Sequence, residues 1–270
     1  MNSPRIGFIG LGDQGSPMAH RIIDAGMPLA VWARRPEVLD PYLLKGATAA
    51  GTIAELGAQC DHVGICVVND ADVFAVTDQL IPAMNSGARI AIHSTVLPDT
   101  VIEIERQCDA RGIRLIDAPV SGGRAGAEAG SLTVMCGASQ DIFDAALPVF
   151  QTFGKLVILL GPVGAGQRAK LVSNAMAGAH LGIAMASLEI ASTFGLERQA
   201  FVELVKQSGG RSFAFEVFAQ MSSPRAMGHR AALLAKDMNI LHTVLPDANT
   251  DVLTSAASGF LQKALAPEPS

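Results

Sequence analysis

The chain has 270 residues, a formal net charge of −5 at pH 7 and 49% hydrophobic residues. That length holds one large or two ordinary domains with real cores, and the acidic balance offers no basic stripe for nucleic acid. Cys60, Cys66, Cys108 and Cys136 show neither a CxxC spacing nor a ligand-like pairing with histidine, so no metal site or disulfide framework is expected. They suit small buried hydrophobes in a reducing cytoplasm.

The first predicted element is a short apolar strand at 5–10. It runs straight into Gly10-Leu11-Gly12-Asp13-Gln14-Gly15, and a helical pattern follows at 17–25. This is the dinucleotide fingerprint in its required context: Gly10 permits the tight turn, Gly12 lets the backbone approach a pyrophosphate, and Gly15 allows close packing of helix on strand. A cofactor strand starting at residue 5 is expected to leave no secretory leader. Further strands are predicted at 29–33, 63–68, 89–93, 114–117, 132–136 and 156–160, with a helix at 99–111 among the intervening helical stretches. Val67, Val68 and Asn69 stand at the tip of the strand at 63–68 and join the fingerprint residues as candidate cofactor contacts. The alternation predicts an α/β fold, a Rossmann domain with a parallel-rich, doubly wound sheet.

Beyond residue 162 the strand signals stop. A helical pattern runs from 167 to 196, unusually long for one globular helix, and further helices are predicted at 197–208, 230–245 and 251–264. The expected division is therefore an NADP-binding Rossmann domain over 1–162 and an all-helical substrate and dimerisation domain over 163–270, joined by the long helix. Its most apolar stretch, 175–196, carries His180 and Glu189 and is rich in Ala and Gly, which suits burial among helices rather than lipid. No membrane partner is expected. Gly178 and Gly182 read as sites of close helix packing.

The tip of the second strand should meet the adenosine ribose. It reads Val31-Trp32-Ala33-Arg34-Arg35-Pro36, with no carboxylate for a 2′-OH and two arginines instead. A guanidinium binds a 2′-phosphate bidentately, so Arg34, assisted by Arg35, favours NADP over NAD.

Three motifs sit at the predicted strand ends: Ser94-Thr95-Val96-Leu97-Pro98, Asp117-Ala118-Pro119-Val120-Ser121-Gly122-Gly123, and the run from Gly164 to Asn174. Lys170 and Asn174 are i and i+4, so they project from one helical face. Together they can deliver a proton and a fixing hydrogen bond to one oxygen. Ser121 with the N–H groups of Gly122 and Gly123 makes a short anion cradle suited to a carboxylate.

On these motifs, in this order, the chain resembles the β-hydroxyacid dehydrogenase family (the 3-hydroxyisobutyrate dehydrogenase, tartronate semialdehyde reductase and glyoxylate/succinic semialdehyde reductase group). The matching residues are Gly-Leu-Gly-x-x-Gly-x-x-Met-Ala at 10–19, Ser-Thr-x-x-Pro at 94–98, Asp-Ala-Pro-Val-Ser-Gly-Gly at 117–123, Gly-x-Gly-x-x-x-Lys-x-x-x-Asn at 164–174 and Lys-Asp at 236–237. The resemblance implies an oxidoreductase moving a hydride between nicotinamide and a small β-hydroxyacid or aldehyde acid. It makes Lys170 the general acid/base, Asn174 its partner and Ser121-Gly122-Gly123 the substrate-anion site. Thr95 would lie near nicotinamide and substrate, Lys236 would close over the cofactor cleft, and a homodimer or homotetramer is implied. Departures from the family pattern are Gln14 in place of Met, His20 and Ala33 in place of Asn, Ser173 in place of the first Asn of a pair, and His229 where Phe is common. A histidine at 229 facing the substrate would recognise a second polar or anionic group. The alternatives are an imine reductase, a class that generally lacks a lysine at the position of Lys170, and an inactive NADP-binding regulator, against which the joint retention of Ser121, Lys170 and Asn174 argues.

Overall fold

Period-two burial makes the sheet two-faced. In the computed structural model, which describes residues 4–246 and 250–267, the first strand, β1 (Ile6–Ile9), buries all four of its residues. Ile6 and Phe8 enter one core cluster and Ile9 the opposite one. The same alternation recurs at Leu29 and Val31 against Ala30, and at Ala91 against Ile90 and Ile92. A strand buried on both faces needs helices on both faces, and the chain supplies them.

In chain order α1 (Gly15–Asp24), β2 (Leu29–Trp32), α2 (Asp40–Leu43), β3 (Thr48–Ala49), α3 (Ile53–Gln59), β4 (His62–Ile65) and α4 (Asp70–Leu80) come first. They are followed by β5 (Arg89–Ile92), α5 (Pro98–Asp109), β6 (Arg114–Asp117), β7 (Val120–Ser121), α6 (Gly123–Glu128), β8 (Leu132–Gly137), α7 (Gln140–Phe150) and β9 (Gly154–Gly161). The sheet order is β3-β2-β1-β4-β5-β6-β8-β7, with β9 added on β8. Every pair from β3 to β6 is parallel; β8 runs antiparallel to β6 and β7 and parallel to β9. The connections reverse direction between β1 and β4, which opens a crevice beyond the carboxyl ends of those strands. Thr48–Ala49 and Val120–Ser121 are strands of two residues, too short for a periodic signal. Strand β4 ends at Ile65, earlier than the predicted 68, so Cys66, Val67 and Val68 form a loop rather than a strand end. Cys60, Cys108 and Cys136 are buried, and Cys66 is half-buried.

The chain divides into two compact units, Met1–Lys170 and Leu171–Ser270. The second is built from α8 (Ala165–Thr193), which begins in the first unit, and α9 (Arg198–Lys206), α10 (Phe213–Ala219), α11 (Gly228–Val244) and α12 (Asp251–Ala264). Helix α10 lies in an apolar run that the sequence reading passed over; Ser212 caps it by accepting from the Phe215 N–H. Within this unit Gly182 is obligatory, since a Cβ there would lie 1.7 Å from the Ala256 carbonyl oxygen on α12. Among the described residues α8 alone is long and apolar enough to cross a membrane, and half of its most apolar window is buried inside the protein.

The α7 face of the sheet holds an unusual aromatic cluster. His93 stacks on Phe8 and meets Phe150 and Phe153 edge-on, and His62 meets Phe150 edge-on. The His93 Nδ1–H donates to the Ala118 carbonyl at 2.9 Å, whereas neither ring nitrogen of His62 has a hydrogen-bond partner among the described residues. Burial pushes His62 down to about 3 and His93 down to about 4. Both are neutral in the fold, while in the unfolded chain they protonate near 6.5. Stability contributed by the neutral rings is therefore present above pH 6.5 and is lost as pH falls toward 4. By pH 5 this should remove about 2 kcal/mol per histidine. His62→Leu should flatten that acid limb, read as the urea midpoint between about pH 7 and pH 5.

Candidate active site

Strand register delivers the first wall of the site. Ile9 pairs with Trp32 on one side and Ile65 on the other, so Gly10, Ala33 and Cys66 emerge side by side at the carboxyl edge. They line a cavity of about 370 Å³ together with Leu11, Gly12, Arg34, Arg35, Val67 and Val68. The three fingerprint glycines have separate jobs here. Gly10 takes φ +97°, and a Cβ on it would sit 2.1 Å from the Cys66 carbonyl oxygen. A Cβ on Gly15 would sit 1.9 Å from the Gly10 carbonyl oxygen and against the Phe8 ring. Gly12 has open space on its Cβ side. The turn is thus closed where helix meets strand and open where a ligand must approach, which fits a dinucleotide pyrophosphate.

Arg34 and Arg35 are exposed at the rim of this cavity, and neither has an ion-pair partner among the described residues. Asn69 is exposed, and its side chain is spent on capping α4 by accepting from the Asp72 N–H at 2.9 Å. The Cys66 sulfur is packed away from water, which pushes its thiol up to about 12, so it stays protonated at neutral pH.

The fingerprint loop also touches the predicted anion cradle. Gln14 Nε2 donates to the Gly123 carbonyl at 3.4 Å, and Arg124 lies 3.5 Å from Asp13. Ser121 is the last residue of β7, paired with Thr133, rather than part of a free loop. Gly122 and Gly123 follow with φ of +131° and +63°. His20 stacks flat on Tyr42 with ring centroids 4.4 Å apart, and the Tyr42 hydroxyl donates to Ser16 Oγ at 2.7 Å. His20 therefore braces the back of α1.

The third component is the head of α8. Asp117, fully buried at the end of β6, accepts from the Gly164 and Gln167 N–H groups, both at 2.7 Å. The carboxylate sits where a helix start has unsatisfied donors and a positive end. Burial pushes it up to about 6 despite those bonds. Two glycines make room: a Cβ on Gly137 would lie 2.2 Å from Asp117 Oδ1, and one on Gly166 would lie 2.8 Å from Oδ2 and 2.3 Å from the Met135 carbonyl oxygen. Gln167 then reaches the loop after β5, accepting from the Val96 N–H at 3.1 Å and donating to the Ser94 carbonyl at 2.9 Å. Ser94 Oγ in turn accepts from the Val67 N–H at 2.8 Å. One turn further along α8 comes Lys170, 8% exposed, and one turn beyond it Asn174.

In the helical unit, Asn174 Nδ2 donates to Asp237 Oδ2 at 2.5 Å, and Lys236 Nζ lies 3.3 Å from Asp237 Oδ1. Asp237 is 3% exposed. Two residues singled out separately in the sequence thus share one carboxylate. His229 is exposed in the first turn of α11, seven residues before Lys236 and so on nearly the same helical face.

A parallel sheet with a glycine-rich crevice at its switch point, followed by a helical unit that begins on a long helix, defines a two-part nicotinamide-nucleotide oxidoreductase. The comparisons agree. Residues 5–161 match the family described as the NAD binding domain of 6-phosphogluconate dehydrogenase, and residues 164–268 match the one described as the NAD-binding of NADP-dependent 3-hydroxyisobutyrate dehydrogenase. The chain is 33% identical to the mitochondrial 3-hydroxyisobutyrate dehydrogenase of Drosophila melanogaster over 257 residues, covering 92% of this chain and 79% of that one. It is 31% identical to the NAD-dependent L-serine dehydrogenase of Pseudomonas aeruginosa over 248 residues, 87% of this chain and 83% of that one. The structure of Mycobacterium tuberculosis 3-hydroxyisobutyrate dehydrogenase with L-serine shares the fold, with a TM-score of 0.87, 22% identity, and coverage of 97% of this chain and 94% of that one. The chain belongs to the β-hydroxyacid dehydrogenase family and is an NAD(P)-dependent oxidoreductase.

Asp117, Gln167 and Asp237 all lie inside the sequence motifs, but the motifs alone give none of the three a role. The available signal was a lone acid at the end of a buried strand, where an uncompensated charge is costly. Asp117→Asn keeps one acceptor oxygen and sets an amide N–H₂ against the second helix N–H. It should cost about 1–3 kcal/mol and lower Tm by roughly 3–10 °C in a thermal melt.

Proposed function

We propose that the protein is an NADP-dependent dehydrogenase that interconverts a small β-hydroxyacid and its aldehyde acid, with Lys170 as general acid/base. The observation that carries this reading is a buried lysine one helical turn before Asn174, on a helix whose head is fastened to the loops of a dinucleotide crevice. A nicotinamide cofactor, when bound, exchanges the hydride with the substrate carbon. In the reducing direction the Lys170 ammonium stabilises the negative charge growing on the carbonyl oxygen and donates its proton there; in the oxidising direction the neutral amine takes the hydroxyl proton. Asn174 has one amide hydrogen committed to Asp237, which leaves its carbonyl oxygen and second hydrogen for the substrate oxygen. Ser121 and the N–H groups of Gly122 and Gly123 hold the carboxylate, with Thr95 beside the reacting carbon.

Substrate class follows from the relatives' names. 3-Hydroxyisobutyrate and L-serine both carry a CH₂OH on the carbon that bears the carboxylate. A cradle for that carboxylate and a lysine for that hydroxyl are the two recognition elements such a molecule requires. The choice of NADP rests on Arg34 and Arg35 at the cavity rim, just past a β2 tip (Val31-Trp32-Ala33) that carries no carboxylate to accept from a ribose hydroxyl; the acid lining this cavity, Asp72, comes from α4 instead. A homodimer is supported by the exposed stripe of Val172, Met176, Ile183, Ile190 and Phe194 along α8, which repeats at helical spacing and leaves apolar surface for a second copy.

Lys170→Ala should keep NADPH affinity within about threefold while kcat on 3-hydroxyisobutyrate or L-serine falls ~10²–10⁴-fold. Unchanged turnover would sink the assignment. Replacing both Arg34 and Arg35 by Ala should raise the NADPH KM about tenfold or more and leave NADH kinetics nearly unmoved. Equal changes for the two cofactors would refute the NADP reading.

A further inference from the structure

We propose that Gln167 is a positioning residue that holds Thr95 and the head of the Lys170 helix in one register. This inference rests on the reading of Lys170 and Thr95 given above. Its geometry is complete within the first unit. Gln167 is fully buried, and a single amide bridges the peptide groups on either side of Thr95: Oε1 accepts from the Val96 N–H, and Nε2 donates to the Ser94 carbonyl. The two bonds fix the backbone entering and leaving Thr95, and so fix where that side chain sits.

The other end of Gln167 is equally constrained. Its own backbone N–H donates to Asp117, whose second oxygen takes the Gly164 N–H. Gln167 lies three residues before Lys170 on α8, so a shift of its backbone moves Lys170 with it. The loop it grips is tied onward, through Ser94 Oγ and the Val67 N–H, to the wall of the dinucleotide cavity. A glutamine that only filled the core would not need both amide atoms directed at one loop, because an apolar side chain of the same length would fill that space without the desolvation cost of the amide. Reacting groups gain their rate advantage only when held in near-attack geometry, and small misplacements cost large factors.

Two variants test this, with wild type alongside. Gln167→Met keeps the side-chain length and removes both hydrogen bonds. Its kcat should fall at least about tenfold, with the NADPH KM moving less than about threefold. The Val96 amide should exchange with deuterium at least about tenfold faster than in wild type. Gln167→Glu separates positioning from bulk. Near pH 8 its carboxylate opposes the Ser94 carbonyl oxygen and turnover should match that of the Met variant, whereas near pH 6 the neutral acid accepts from the Val96 N–H, donates to Ser94, and should shrink the deficit at least about threefold.

Turnover within about twofold of wild type in both variants overturns the proposal. So does a loss that merely tracks the unfolded fraction measured by circular dichroism. If wild type turns over no β-hydroxyacid, the functional reading fails by itself and the Val96 exchange still decides. Faster exchange in folded Gln167→Met supports the register role, and equal exchange removes it.

Discussion

A buried carboxylate at the end of β6 organises this protein. Asp117 has no exposure, yet it holds the first turn of a 29-residue helix by two backbone hydrogen bonds. A charge in that position is tolerable only because helix N–H groups and the positive helix end surround it. The constraint spreads outward. Gly137 and Gly166 must lack side chains so that the carboxylate can seat, and Gln167 must present its N–H. Lys170 and Asn174 then take the helical phase that this anchor dictates.

The same anchor joins three loops that the sheet delivers separately. The loop after β4 forms a wall of the cavity, the loop after β5 carries Thr95, and the head of α8 carries Lys170. Val67, Ser94, Gln167 and Asp117 form one unbroken chain of hydrogen bonds through them. Each loop alone would sample several arrangements. Linked, they vary together, and preorganisation of this kind is what electrostatic catalysis requires of its scaffold.

Much of this was legible in the residues. The fingerprint glycines, the strands at 29–33, 89–93 and 114–117 and the helix at 251–264 follow from local pattern, because burial on alternate faces writes itself into a period of two and helix packing into a period of 3.6. The two-residue strands Thr48–Ala49 and Val120–Ser121 exist only because a neighbouring strand offers free carbonyls, which no local window contains. The roles of Asp117, Gln167 and Asp237 are hidden for a related reason. Their partners lie 47 to 73 residues away, so their meaning is tertiary. His62 is the sharper case: nothing local says that an imidazole will be sealed against Phe150 with no partner for either nitrogen among the described residues.

Strand β9 carries a consequence of another kind. Among the described residues it pairs on one side only, with β8, and Leu156, Ile158 and Leu160 are exposed along its eight residues. A long apolar strand with an unpaired row of N–H and C=O groups is a template for another chain. The opposite end of the sheet is blunted by the two-residue β3, but this end has only the exposed Lys155 to discourage pairing. This edge is therefore a point at which copies of the chain can pair strand to strand when the protein is heated or overexpressed.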